Sequence, residues 1–192
     1  MLLLLVVVVL PGCGASTSPP ENSPEAKVTK VGFDLDDTLV FSTPAFQKGF
    51  NSDADPFSDE FWSIVNRSDS AVSCVKTATL RLLKNHQRKG HEVYVITARK
   101  GVNTGPTRKF ISETFDVPEE HLYFEPDGKT RRLKKLGVDV YYGDSDSDIR
   151  DAREAGITAI RIKRSPKSNY QEKYNPGKFD ERVLEETASH DC

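Results

Sequence analysis

Two carboxylates set two residues apart, Asp34 and Asp36, open the run Asp34-Leu35-Asp36-Asp37-Thr38. In extended chain that spacing points both side chains to the same side. Carboxylates brought together away from water are costly unless a proton or a cation is shared between them. The pair therefore implies a divalent cation, a shared proton, or both. Phosphoryl transfer through an aspartyl-phosphate uses that combination: one ionised Asp attacks phosphorus, and a second, protonated, serves the leaving oxygen. The competing reading is an acidic turn in which Asp36-Asp37-Thr38 merely caps a helix. The apolar run Val28 to Phe33 just before it favours chemistry, because it sets the carboxylates at the end of a buried-type strand.

The elements that must position these residues follow from periodicity and breakers. After the first strand, a polar stretch runs to about Glu60, a short helix is expected over Phe61 to Asn66, and a longer one from Ser70 to Arg88. Further strands are expected over His91 to Ile96, His121 to Phe124, Val138 to Tyr142 and Ile157 to Ile162. Helices are expected over Thr107 to Phe115, Lys129 to Leu136 and Asp146 to Glu154. Strand and helix alternating at short spacing predict an α/β fold, a doubly wound, Rossmann-like parallel sheet with helices on both faces. In such sheets the ligand crevice lies at the carboxyl ends of the strands. Asp34, Thr97 and Asp144 each fall just past a strand, so three separate loops deliver polar groups to one edge.

Taken together, Asp34-Leu35-Asp36-Asp37-Thr38, Thr97, Lys129 and Gly143-Asp144-Ser145-Asp146-Ser147-Asp148 resemble the four ordered motifs of the haloacid dehalogenase-like (HAD) phosphatases. The phrase from Phe33 to Ser42, with Pro44 and Phe46 beyond it, and Thr97-Ala98-Arg99 are most similar to the bacterial class B acid phosphatases. The likeness spans about residues 28 to 175. It implies a Mg²⁺-dependent phosphomonoesterase with one ion per site and no large cap domain. Asp34 would be nucleophile and metal ligand. Asp36 would be general acid and base, with its backbone carbonyl on the metal, and Asp144 a further ligand. Thr97, Ala98, Arg99 and Lys129 would hold the phosphate, and Asp148 would hold Lys129 or a metal-bound water. Phe46, Trp62 and Tyr170 resemble aromatics that line a substrate pocket, against the alternative that they are core. Two further readings stay open: a phosphotransferase to alcohol acceptors, and a non-catalytic phosphate- or nucleotide-binding protein.

Other residues carry less. Gly128-Lys129-Thr130 imitates the tail of a nucleotide-binding loop, but Tyr123 stands where that loop needs its first Gly. Lys134 and Lys135 compete for the lysine role but suit solvated surface. His86, His91, His121 and His190 lack metal-ligand spacing.

The chain of 192 residues has room for one catalytic domain, expected over residues 28–192. Its net charge of −2 offers no basic stripe for a nucleic acid polymer. Residues 1–10 are wholly apolar, yet as a helix they would reach only ~15 Å, about half a bilayer core. Residues 1–12 are therefore expected to be a signal peptide. Leu10-Pro11-Gly12-Cys13 resembles a bacterial lipobox, which implies lipidation of Cys13, and residues 13–27 read as a Pro-rich tether. The alternative is a processed soluble signal peptide with an incidental Cys. Lipidation implies a bacterial envelope protein, membrane-anchored, with its domain in the periplasm or at the cell surface. Cys74 and Cys192 could form a disulfide there. The substrate is expected to be a small phosphomonoester, and the sequence does not support the oligomer of class B enzymes.

Overall fold

β1 (Lys30–Phe33) lies in the interior of the sheet because both of its faces are apolar or backbone. Val31 and Phe33 point to one core, while Gly32 faces Tyr141, whose ring lies 2.7 Å from where a Cβ would sit. The computed structural model describes residues 29–190. The expected signal peptide, Cys13, the tether and Cys192 lie outside the described residues. Cys74 is disulfide-bonded.

The remaining strands are β2 (Val40–Phe41), β3 (Cys74–Val75), β4 (Glu92–Thr97), β5 (Leu122–Phe124), β6 (Val140–Gly143), β7 (Thr158–Ile162) and β8 (Arg182–Leu184). The helices are α1 (Thr43–Phe50), α2 (Asp59–Val72), α3 (Thr77–Arg88), α4 (Gly105–Phe115), α5 (Thr130–Leu136) and α6 (Asp146–Glu154). Among the described residues the main sheet has the order β5-β4-β1-β6-β7-β8, every pairing parallel, while β2 and β3 form a small antiparallel pair. The doubly wound fold expected from the sequence is the one observed.

Alternation along each strand divides the core. Val31, Phe33, Val93, Val95 and Tyr142 pack with Leu83 of α3 and with Ile111 and Phe115 of α4. Tyr94, Ile96 and Tyr141 pack on the other face with Leu133 of α5 and Ala152 of α6. From β1 the chain moves outward through β4 and β5 on one side, then returns through β6, β7 and β8 on the other. That reversal opens the crevice of a doubly wound sheet beside β1.

Three local readings differ from the sequence expectation. The helix expected over Ser70 to Arg88 is two helices, because Ser73 ends α2 in extended backbone and Cys74–Val75 pair with β2. The stretch before Glu60 contains α1, opened by Pro44 in its first turn and buried through Ala45 and Gly49. The short helix expected over Phe61 to Asn66 is the middle of α2, whose start is fixed by Ser58 accepting from the Phe61 N–H at 3.2 Å. Together α1 and α2 form a small insertion between β2 and β3, with its own cluster around Phe61, Trp62 and Val65. No helix among the described residues is long and apolar enough to cross a membrane.

Candidate active site

Strand register builds the site. Phe33 pairs with Tyr142, and the Asp34 N–H continues the ladder by donating to the Tyr142 carbonyl at 2.8 Å. Asp34 and Asp144 therefore leave adjacent strands at nearly the same level. On the other side Phe33 pairs with Val95, so Thr97 ends β4 two residues further on. After Asp34 the chain turns tightly: the amides of Thr38, Leu39 and Val40 all donate to the Leu35 carbonyl, and Asp37 takes the left-handed conformation. At the end of β6, Ser145 caps α6 in a reciprocal capping box with Asp148, which aims the Asp148 carboxylate back at Asp34.

Lys129 joins these parts. It follows Gly128, whose φ of 109° requires glycine, and its backbone N–H donates to Asp151 of α6 at 2.8 Å. Its buried ammonium donates to Asp34 Oδ1 at 2.5 Å, Asp148 Oδ1 at 2.6 Å and the Tyr141 hydroxyl at 2.9 Å. Burial opposes the charge, but Asp148 and Asp34 outweigh it and hold the ammonium well above its usual range. The same cation, with Ser145, keeps Asp148 low against its own burial. Asp34 goes the other way. Burial pushes it well up, Lys129 resists, and Asp148 and Asp144 push it further.

Carboxylate oxygens of Asp34, Asp144 and Asp148 all lie within 4.8 Å of one another, and all three residues are buried. Against them stand Lys129 and Arg164, whose Nε donates to Asp144 Oδ2. Three buried carboxylates crowd around two cations, and burial with mutual repulsion raises Asp34 and Asp144, a cost that a bound cation would relieve; the donors are all oxygen. That donor set fits a hard divalent cation such as Mg²⁺. Thr38 Oγ1 steadies Asp144 from the other side by donating to Oδ1 at 3.2 Å.

Asp36 stands apart from this cluster. Its carboxylate, a quarter exposed, is gripped by Arg99, with Nε 2.9 Å from Oδ2 and Nη2 2.6 Å from Oδ1. Burial would raise it, but the Arg99 charge and hydrogen bonds win and leave it below the usual carboxylate range. Thr97 is fully buried; its hydroxyl accepts from the Arg99 N–H at 3.3 Å and lies 3.5 Å from Asp36 Oδ2. The sequence-predicted residues are thus brought to one sheet edge in two groups, Asp34–Lys129–Asp144–Asp148 and Asp36–Thr97–Arg99.

A cleft of about 430 Å³ opens over both groups, a size suited to a small organic phosphate. Asp34, Asp36, Ala98, Arg99, Lys129 and Asp144 reach its floor. Phe46, Trp62 and Tyr170 line it, Trp62 and Phe46 edge to face at 5.6 Å. Phe50 and Phe57, half exposed, extend that apolar wall. Lys134 and Lys135 are exposed on the outside of α5.

The sequence reading missed a layer behind the carboxylates. Arg164 Nη1 also donates to the carbonyls of Tyr170 and Glu172, which ties Asp144 to the loop carrying Tyr170. Buried Lys76 donates to the Asp37 carbonyl at 2.5 Å and the Lys163 carbonyl at 2.8 Å. Ser168 donates to Asp37 Oδ2 at 2.6 Å. Burial and then Asp144 push Asp37 up to about 7. Arg164 could have been found by the strand-end rule, since it lies just beyond β7; Lys76 and Ser168 carry no such signal.

The sequence model of the HAD superfamily, subfamily IIIB (acid phosphatase), matches residues 15–173. The class B acid phosphatase of Marinomonas sp. (strain MWYL1) is 35% identical over 168 residues, 82% of this chain and 71% of that protein. That of Salmonella typhimurium is 33% identical over 167 residues, 80% of this chain and 70% of that protein. Among solved structures, CbbY from Rhodobacter sphaeroides in complex with phosphate superposes with a TM-score of 0.60 at 15% identity. It covers 84% of this chain and 96% of that one, a likeness of fold alone. With this agreement over most of its length, the chain belongs to the HAD superfamily, subfamily IIIB, the class B acid phosphatases, and is a phosphoric monoester hydrolase.

Proposed function

We propose that the chain hydrolyses small organic phosphomonoesters, nucleotides among them, by a Mg²⁺-dependent route through an aspartyl-phosphate on Asp34. The observation that supports it best is the pairing of Asp34 with Lys129 on the floor of the cleft, 2.5 Å apart and both buried. Burial leaves the Asp34 carboxyl raised even beside Lys129. The ammonium opposes that rise, and a bound cation would add to that opposition and favour the ionised form that attacks. Asp34 forms a bond to phosphorus as the ester oxygen departs, and that oxygen takes a proton from Asp36. Asp36, then ionised, removes a proton from the water that attacks phosphorus and frees Asp34. Arg99 holds Asp36 ionised at rest, so it must take up a proton before the first step, which suits an acid medium. The metal would be held by Asp34 and Asp144, with Asp148 beside them and, by family likeness, the Asp36 carbonyl. When bound it supplies charge to the phosphoryl oxygens. Ala98 would face the phosphate from the cleft floor. Thr97, fully buried, would instead hold that turn through the Arg99 N–H, and Arg99, its N–H groups already taken, would act through Asp36. The wall of Phe46, Trp62 and Tyr170 would take a flat or apolar leaving group. Export and lipid anchoring through Cys13 complete the reading, on the sequence alone.

The test is hydrolysis of para-nitrophenyl phosphate and a nucleoside monophosphate by the purified protein. EDTA is expected to stop turnover and Mg²⁺ to restore it, and Asp34→Asn to abolish it. Turnover that survives Asp34→Asn contradicts the mechanism. Cys13→Ser is expected to release the protein from the membrane fraction.

A further inference from the structure

We propose that Asp69, on α2 and outside the four motifs, is a positioning residue for this hydrolysis: it fixes the Arg99 guanidinium that orients Asp36. The proposal rests on the reading of Asp36 as general acid. Asp69 is 1% exposed and places both oxygens on Arg99, Oδ2 2.5 Å from Nη1 and Oδ1 3.1 Å from Nη2. Arg99 presents its opposite edge, Nε and Nη2, to Asp36. Asn66 Oδ1 accepts from Nη1 at 3.2 Å, and the Asn66 amide nitrogen donates to the carbonyls of Lys100 and Val102, holding the strand-end loop that carries Arg99. The five N–H groups of the guanidinium thus meet Asp36, Asp69 and Asn66, which fixes the fork in one orientation.

Asp69 is itself held. Ser73 Oγ donates to Oδ1 at 2.9 Å, and Thr107 Oγ1, 2.8 Å from the Asn66 carbonyl, lies 3.2 Å from Oδ2. A buried ion pair is weak evidence for stability, and fixing a geometry is a better-attested use of one. Here the geometry fixed is that of a partly exposed carboxylate at the cleft. A proton donor acts only within hydrogen-bond reach of the leaving oxygen. Since Trp62 is on the same helix, α2 sets both the wall of the cleft and, through Asp69 and Arg99, the acid beside it.

Leaving-group dependence separates this role from a merely structural one. A nitrophenolate departs with little help from an acid, whereas an alkoxide needs the proton. The experiment measures kcat and KM with Mg²⁺ for para-nitrophenyl phosphate and glycerol phosphate. Asp69→Asn is expected to lower kcat on glycerol phosphate on the order of tenfold more than on the aryl ester, part of the ~10²–10⁴-fold an acid–base group supplies, with KM little changed. Arg99→Lys should show the same selectivity, and adding Asp69→Asn to it should cost little more, because the two act as one unit. Equal losses on both substrates, or additive effects of the two changes, overturn the proposal. Asp36→Asn is the control: if it lacks the selective loss, the reading of Asp36 fails; if it shows it and Asp69→Asn does not, only the Asp69 proposal fails. Should Asp69→Asn not fold, Ser73→Ala loosens Asp69 while keeping its charge. It must then show the same selectivity in smaller measure, and its absence overturns the proposal.

Discussion

Lys129 has three N–H groups and all three are engaged, by Asp34, Asp148 and the Tyr141 hydroxyl. It can touch a bound phosphate only by giving one of them up, so its first task in the resting protein is to neutralise buried carboxylates. Lys129→Ala leaves Asp34 and Asp148 without that cation. Loss of such a preorganised charge costs about 10²-fold or more in kcat, and we expect at least that on para-nitrophenyl phosphate. A loss confined to KM would contradict the assignment. At this scale the sequence was most legible where residues end strands: Asp34, Thr97 and Asp144 needed only the alternation of elements to be placed. Arg99 was expected to contact phosphate, and its guanidinium is instead clamped on Asp36, Asp69 and Asn66, which the sequence did not reveal because Asp69 comes from a helix with no local signature. Lys76 was invisible for the same reason, since its acceptors are backbone carbonyls far along the chain.

Elements position these side chains through a few tight approaches. A Cβ on Gly143 would lie 2.4 Å from Asp148 Cβ and 2.6 Å from its Cγ, so β6 and the first turn of α6 meet only because that residue is glycine. Gly143→Ala should force the two apart at a cost of about 1–3 kcal/mol, typical of overpacking, and lower activity with it. Thermal unfolding and kcat measured together check this; a stable, fully active variant would contradict it. The helices of the insertion act on the other side of the cleft. Trp62→Ala should raise KM for aryl and nucleoside phosphates more than for glycerol phosphate, and an equal rise for all would place Trp62 in the core instead. The limits of the sequence reading also lie here. Two-residue strands such as β2 and β3 have no periodicity to detect, so the helical pattern ran on through Cys74 and Val75, where pairing across the chain overrides it. The central strands of the main sheet were readable because they are buried on both faces, whereas β8, an edge strand of three residues with none buried, was not expected.

For the whole molecule, the buried carboxylates set how stability responds to pH and metal. Burial and Asp144 raise Asp37 from 3.8 to about 7, and Asp34 is raised in the same sense. The folded protein then binds more protons than the unfolded chain between those pH values. Their contribution is present below pH 3.8 and is lost as pH rises toward 7. Asp36 and Asp148 are lowered, so their opposite contribution falls away only below that window. In EDTA, Tm should therefore decline from about pH 4 to 7, Asp37→Asn should flatten the decline, and Mg²⁺ should oppose it by binding the folded state. A Tm that rises through the window without metal would contradict this ledger of charges.

In the proposed mechanism Asp34 carries the phosphoryl group. Acid quenching during turnover of a phosphomonoester, followed by mass spectrometry of the peptides, tests it directly. A phosphate is expected on the peptide containing Asp34, dependent on Mg²⁺ and missing in Asp34→Asn. Phosphate on another residue, or turnover at full rate with no phosphorylated peptide at any quench time, would contradict it.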